Sequence, residues 1–267
     1  MNLIESKLRC QNYRRKILDV SQQVTALHMA GAFSSTEILD CIYNQLMKKN
    51  EKNEFLDTFI MSKGHSCILQ YVILADLKIL SQDDLLKYCQ PNGILGAHPD
   101  LGNPGIEAST GSLGHGMGLA TGMHQADKIL RKEKNIFMIV SDGELQEGST
   151  WESMMMAANL ECNNLICFLD HNGSQSFGHT KETHPKFYPI KEKVEAFGWE
   201  VKEIDGHNSL EIFNSFNERS KEKPCMIICN TTKGKGVSFM ENKPIWHYRS
   251  PNKDEFEIAI KEINLGF

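Results

Sequence analysis

Short runs of unbroken apolar residues alternate along this chain with stretches whose apolar residues recur three and four apart. Phe59–Met61, Ile136–Val140, Leu165–Leu169 and Met226–Asn230 are of the first kind, which predicts strands buried on both faces. Trp199–Ile204 predicts a further strand. Helical spacing covers Asn12–Leu27, Ile68–Leu80, Gln82–Tyr88, Leu113–Leu130, Thr150–Leu160, Ile190–Phe197, Leu210–Ser220 and Asp254–Ile263. Ser34 with Glu37 three residues on predicts a capping box before Ile38, Leu39, Ile42 and Leu46. Strands separated by helices predict an α/β fold, a doubly wound, mostly parallel sheet with helices on both faces. No repeat, low-complexity tract or linker interrupts the pattern, so one domain over 1–267 is expected. The loops at 91–112 and 171–188 exceed simple connections, and long ordered loops in such folds usually carry function.

Composition narrows the class without naming a chemistry. The apolar fraction of 40% supports a core, and a net charge of −5 gives no reason to expect nucleic acid or an anionic membrane as partner. No apolar run approaches the ~20 residues of a membrane span. The N-terminus lacks the apolar stretch of a signal peptide, and the expected location is the cytoplasm. Eight cysteines without a Cys-x-x-Cys pair read as free thiols in a reducing compartment, not as a zinc site.

The chemistry gathers where apolar runs end. Asp142-Gly143 follows one run and Asn172-Gly173 follows another. Adjacent strand ends of a parallel sheet would offer a carboxylate and an amide oxygen to one point, a donor set suited to a hard cation shared with phosphates. Glycine there lets backbone N–H groups approach a diphosphate. Ser62-Lys63-Gly64-His65 places an imidazole just after a strand, where it can exchange a proton near neutral pH. Gly111, Gly114 and Gly116 open a helix, more glycine than ordinary capping needs. Lys233 and Lys235 follow the strand 226–230 and face the same sheet edge.

Taken together these segments resemble the transketolase family, and most of all the N-terminal, diphosphate-binding half of a split transketolase. Asp-Gly followed thirty residues later by Asn is the thiamine diphosphate motif, with Ser141 where the family usually has glycine. The continuation Glu144 to Glu152, the Ser-Lys-Gly-His segment, Gly96-Ala97-His98-Pro99, Thr110 to Gly116, Lys233-Gly234-Lys235-Gly236 and Trp246-His247 all have family counterparts. The resemblance implies thiamine diphosphate and Mg²⁺ as cofactors, with Ca²⁺ or Mn²⁺ able to substitute. It implies Asp142, Asn172 and the carbonyl of Ser174 as metal ligands. Gly111, Ser112, Leu113, Gly114, His115, Gly143, Glu144, Asn172, Lys233 and His247 would contact the cofactor. His28, His65, His98 and His247 would hold substrate hydroxyls and move protons, and Glu147 and Glu152 would lie at a subunit contact near the aminopyrimidine. His28 sits in Ala26–Ala32, a segment that keeps little of the family's glycine pattern, and a core-facing His28 on helix 12–27 is the alternative.

In the family the glutamate that activates the cofactor belongs to a second, pyrimidine-binding domain. This chain ends at Phe267 after the diphosphate-type segment, so that domain is expected on a separate partner chain. The chain would also self-associate through the same interface, two copies joining two of the partner. The activity the resemblance implies is transfer of a two-carbon ketol unit from a ketose to an aldose, sugars or sugar phosphates. Two alternatives stand beside it: a subunit of a 2-oxo acid decarboxylating, acyloin-forming enzyme, and a non-catalytic cofactor-binding partner.

Overall fold

Five strands form one parallel sheet in the order β1-β2-β3-β7-β6: β1 Thr58–Met61, β2 Ile136–Ser141, β3 Leu165–His171, β6 Glu200–Asp205 and β7 Cys225–Asn230. The computed structural model describes residues 2–176 and 178–266. Met1, Phe177 and Phe267, which fall within the expected 1–267 span and the 171–188 loop, lie outside the described residues. Alternate residues of the central strands feed two cores. Phe59, Met61, Phe137, Ile139, Ile166, Phe168 and Ile227 face one, and Ile60, Met138, Val140, Cys167, Leu169, Met226 and Ile228 the other. Burial on both sides is the reason these strands read as continuous apolar runs. β6 lies at the edge, with Val201 in the second core and Ile204 packed against the first.

The first core takes α1 (Leu3–Ser21), α2 (Met29–Ser34), α3 (Thr36–Cys41), α4 (Cys67–Asp76), α5 (Gln82–Leu86), α10 (Ser209–Asn217) and α11 (Lys253–Leu265). The second takes α6 (Gly116–Ile129), α7 (Gly148–Asn159) and α9 (Ile190–Ala196). The steps β2 to β3 and β3 to β6 run one way across the sheet and put α7 and α9 on one face. The step back from β6 to β7 puts α10 on the other, as right-handed crossovers require. The 171–188 loop folds into a hairpin of β4 (Ser174–Gln175) and β5 (Gly178–His179) followed by α8 (Thr180–Thr183).

Two expected elements differ. The opening helix begins at Leu3 and ends at Ser21, not Asn12–Leu27. Its buried face includes Ser6, which donates to Asp40, so a polar residue hides the helical period over the first turns. It stops because Ser21 Oγ turns back to the Leu18 carbonyl and the next two N–H groups reach Asp19 and Val20, tightening the last turn. The Ser34–Glu37 capping box does not form. Ser34 closes α2 and donates to Asp170 at 2.7 Å, while Glu37 turns to Arg14. Capping boxes stand instead at Ser81–Asp84 and Asn252–Glu255.

Candidate active site

The carboxyl ends of β1, β2, β3 and β7 open into a cavity of about 400 Å³, the size class of small-ligand sites. Its wall brings together His28, His65, His98, His247, Gly111, Leu113, Gly143, Glu147, Asn172, Ser174 and Lys233 from the expected residues. His28 is not on the core face of the opening helix; it stands just before α2. Its ring centre lies 5.3 Å from that of His65 and 5.2 Å from that of His247, while those two are 5.8 Å apart. Tyr248, exposed at the rim, stacks on His28 at 4.4 Å.

Burial dominates the charge states of this cluster. It pushes His28 and His247 down to about 4, helped at both by the charge of Lys233, and holds His65 well below the usual imidazole range. Burial also lowers Lys233 to about 8. Lys233 Nζ lies 3.0 Å from His247 Nδ1. An ammonium only donates, so Nδ1 is the acceptor and the neutral ring carries its proton on Nε2.

Beneath the wall, Asp170 is wholly buried and accepts from four separate segments. Ser34 of α2 donates at 2.7 Å, Lys63 after β1 at 2.5 Å, Asn172 at 3.0 Å and Thr231 after β7 at 2.5 Å. Burial alone would raise its pKa, but the charge of Lys63 and these bonds keep it below the ordinary carboxylate range. Lys63 also donates to the Gly31 carbonyl at 2.8 Å, which ties the His28 segment to the sheet. His98 is fixed through its backbone, whose carbonyl accepts from Tyr71 at 2.8 Å. Its ring packs on Gly111, which has φ +135° and where a Cβ would come within 2.6 Å of the imidazole.

Asp142 lies behind the wall, fully buried. His171 Nδ1 is 2.5 Å from one carboxylate oxygen, and Gly173 N–H donates to the other at 2.7 Å. Burial pushes its pKa up and those two contacts pull it back. Ser174 N–H donates to Asn172 Oδ1 at 3.1 Å, so one turn gathers Asp142, Asn172 and Ser174. Among the described residues no group of three or more His, Cys, Asp or Glu side chains could hold a metal. A cation here would rest on amide and carbonyl oxygens, one carboxylate and oxygens of a bound anion, the donor set of Mg²⁺. Each carboxylate oxygen keeps a further lone pair, so the donor set fits. The wall's two lysines against a single carboxylate, Glu147, fit a polyanion, with the imidazoles beside them as hydrogen-bonding groups.

Other expected residues lie elsewhere. Glu144 is buried off the wall; its Oε1 accepts from Ser62 Oγ and from Gly114 N–H, and burial lifts its pKa to about 7. Gly114 is needed for packing, since a Cβ would come within 2.4 Å of Ser149 Oγ. Ser112 and His115 are exposed and line a separate groove on α6 with Leu119 and Met123, because the chain reverses at Gly111 and Gly114, where φ is positive. Glu152 is exposed on α7, off the cavity, while Glu147 precedes that helix and reaches the wall. Lys63, Ser141, Gln146 and Gln175 also line the cavity, beyond the residues expected there. Ser141 turns its hydroxyl to the Glu144 N–H at 3.4 Å. The signal for Lys63 lies in the Ser-Lys-Gly-His segment, next to the histidine that the motif brings forward.

Comparison with known proteins gives a consistent result. A sequence model of the family described as "Transketolase, thiamine diphosphate binding domain" matches residues 6–267. The chain is 36% identical over 265 residues to one subunit of the apulose-4-phosphate transketolase of Actinobacillus succinogenes, covering 97% of this chain and 96% of that one. It is 37% identical over 243 residues to a 6-deoxy-6-sulfo-D-fructose transketolase subunit of a Clostridium species, covering 88% of each. A solved transketolase of Campylobacter jejuni superposes with a TM-score of 0.92 at 27% identity, over 99% of this chain and 43% of that one. The chain therefore spans less than half the length of that enzyme.

Proposed function

This chain belongs to the transketolase family, and from that premise we propose that it is the diphosphate-binding subunit of a two-chain transketolase-like transferase. The observation that carries the reading is the gathering of four histidines and two lysines on one cavity at the ends of parallel strands. Gly111, Leu113, Gly143, Lys233 and His247 would hold the diphosphate of thiamine diphosphate, and Asp142, Asn172 and the Ser174 carbonyl a Mg²⁺ ion. Bound there, the cofactor supplies the carbanion chemistry by which a two-carbon ketol unit leaves a ketose and joins an aldose.

The protein's own part follows from the charge states. His28, His65 and His247 are neutral at pH 7 and hold substrate oxygens by hydrogen bonds rather than by charge. His247 offers Nε2–H because Lys233 occupies Nδ1. His98, beside Gly111, offers its ring to a sugar hydroxyl. The convergence of imidazoles favours a polyhydroxylated substrate over a 2-oxo acid, whose carboxylate needs a free cation; Lys63 is paired with Asp170, and Lys233 is assigned above to the diphosphate.

Relatives named as single subunits of transketolases, rather than as whole enzymes, support a second subunit carrying the pyrimidine domain. Leu119 on α6 and Met155 and Met156 on α7 are exposed beside Glu147 and Glu152, and this face would meet the partner and a second copy, two of each chain. No helix among the described residues is long and apolar enough to cross a membrane, and the eight cysteines are free, as in a reducing cytoplasm. The test is ketol transfer among a panel of ketose and aldose phosphates with thiamine diphosphate and Mg²⁺. The chain with its partner should turn over and the chain alone should not. Turnover by the isolated chain, or a complex that fails to bind thiamine diphosphate, would overturn the reading.

A further inference from the structure

His207 stands outside the cavity, in the turn between β6 and α10, against the far side of the segment that carries Lys233. Gly206 N–H donates to the Asn230 carbonyl at 2.9 Å, and a Cβ at Gly206 would come within 2.4 Å of Thr231 Cγ2, so turn and segment are in direct contact. The imidazole lies between two partners of opposite kind. Thr232 N–H is 2.8 Å from Nε2, and Glu37 Oε2 is 2.9 Å from Nδ1. A backbone N–H only donates, so Nε2 accepts and the ring proton sits on Nδ1, facing the carboxylate. Glu37 is gripped in turn by both terminal nitrogens of Arg14, at 2.7 and 2.8 Å. Burial would raise Glu37, but Arg14 with His207 holds it down at about 2, so it remains an acceptor. Arg14 also donates to the Phe33 carbonyl at 2.9 Å, on the helix that follows His28.

Thr232 sits between the two residues that this segment sends to the site. Thr231 Oγ1 donates to Asp170, and Lys233 Nζ meets His247 Nδ1. Backbone bonds also hold the segment, from Thr231 N–H to His171, Gly234 N–H to Ala30, Asn242 N–H to the Lys233 carbonyl and Lys235 N–H to the Thr232 carbonyl, and Glu241 accepts from Gly236 N–H. His207 is the side chain that fixes the Thr232 peptide, and its tautomer is set from α1 and α3.

We propose that His207 is a positioning residue: through Thr232 it sets the place of Lys233, and so of the Lys233–His247 pair on the cavity wall. The effect on the reaction rests on the proposed function; the effect on geometry does not. The experiment therefore reads both, in two variants of the full chain. His207→Phe keeps the ring volume and removes both nitrogens, whereas His207→Gln restores an acceptor toward Thr232. In ¹⁵N spectra of histidine-labelled protein without cofactor, wild type should show His207 protonated at Nδ1. The His247 Nδ1 resonance should move in His207→Phe and return in His207→Gln. In the two-chain complex with Mg²⁺, thiamine diphosphate affinity by calorimetry should fall about tenfold in the Phe variant, the size of one lost hydrogen bond. It should recover in the Gln variant. An unmoved His247 resonance in His207→Phe overturns the proposal, as does a folded Gln variant that behaves like Phe. Wild type that binds no thiamine diphosphate would refute the proposed function, while the His247 resonance still decides the positioning role.

Discussion

Gly143 separates what the fold requires from what the cavity requires. Its φ of −64° and ψ of −35° are ordinary right-handed helical values, open to any residue. A Cβ added there would meet nothing nearer than Gln175 Cβ at 3.9 Å, an ordinary contact with a residue that itself lines the cavity. Folding thus gains from Gly143→Ala what it gains at any compatible glycine, about 0.4–1 kcal/mol from a less flexible unfolded chain. For a chain of this size that is a rise in Tm of up to about 4 °C. Binding moves the other way. A methyl group on the wall keeps a diphosphate from the backbone N–H, and a charge-assisted hydrogen bond is worth about 1.5–3 kcal/mol, ten- to over a hundredfold in Kd. The assays are a thermal melt without cofactor and calorimetric titration of the two-chain complex with thiamine diphosphate at fixed Mg²⁺. Affinity within about twofold of wild type, or a Tm several degrees lower, would refute this account of the glycine.

His98→Ala should leave stability within about 0.5 kcal/mol, because the side chain is exposed, while kcat/KM for the ketose falls; a large loss of Tm with catalysis per folded molecule intact would make it a structural residue. Asp142→Ala should abolish retention of thiamine diphosphate with Mg²⁺, and unchanged affinity by calorimetry would remove Asp142 from the metal. His28 and His247 are held at about 4 in the folded state against an ordinary value of about 6.5. The unfolded chain takes up protons first, so their contribution is complete above about pH 6.5 and is lost as pH falls toward 4. Urea midpoints across that window should fall less in His247→Gln than in wild type, and equal losses would show that the ring is not buried as described.

The strands were legible because burial on both faces leaves continuous apolar runs, and the order of helices and strands then implied the sheet. The first half of α1 was not, because Ser6 occupies its inner face and is satisfied by Asp40 and Ser209, distant in sequence. In the site, His65, Asn172 and Lys233, each immediately after a strand, reach the wall. Ser112 and His115 line a separate groove, since two positive-φ glycines decide which way the 111–115 segment faces, and the motif's letters do not show it. Asp170 and His207 were invisible for a different reason. Each is defined by its partners, which come from three distant parts of the chain for Asp170 and two for His207.

The four donors on Asp170 have a consequence for how this cavity can change. Four segments that meet at the site share a single acceptor, so they form one cooperative unit and not four adjustable walls. A substitution in any donor is felt by the other three, and their energetic effects will not add. Variation that alters what the cavity accepts is therefore expected outside this knot, at Gln175 on the wall or at Tyr248 against His28, while the floor beneath tolerates change only in concert.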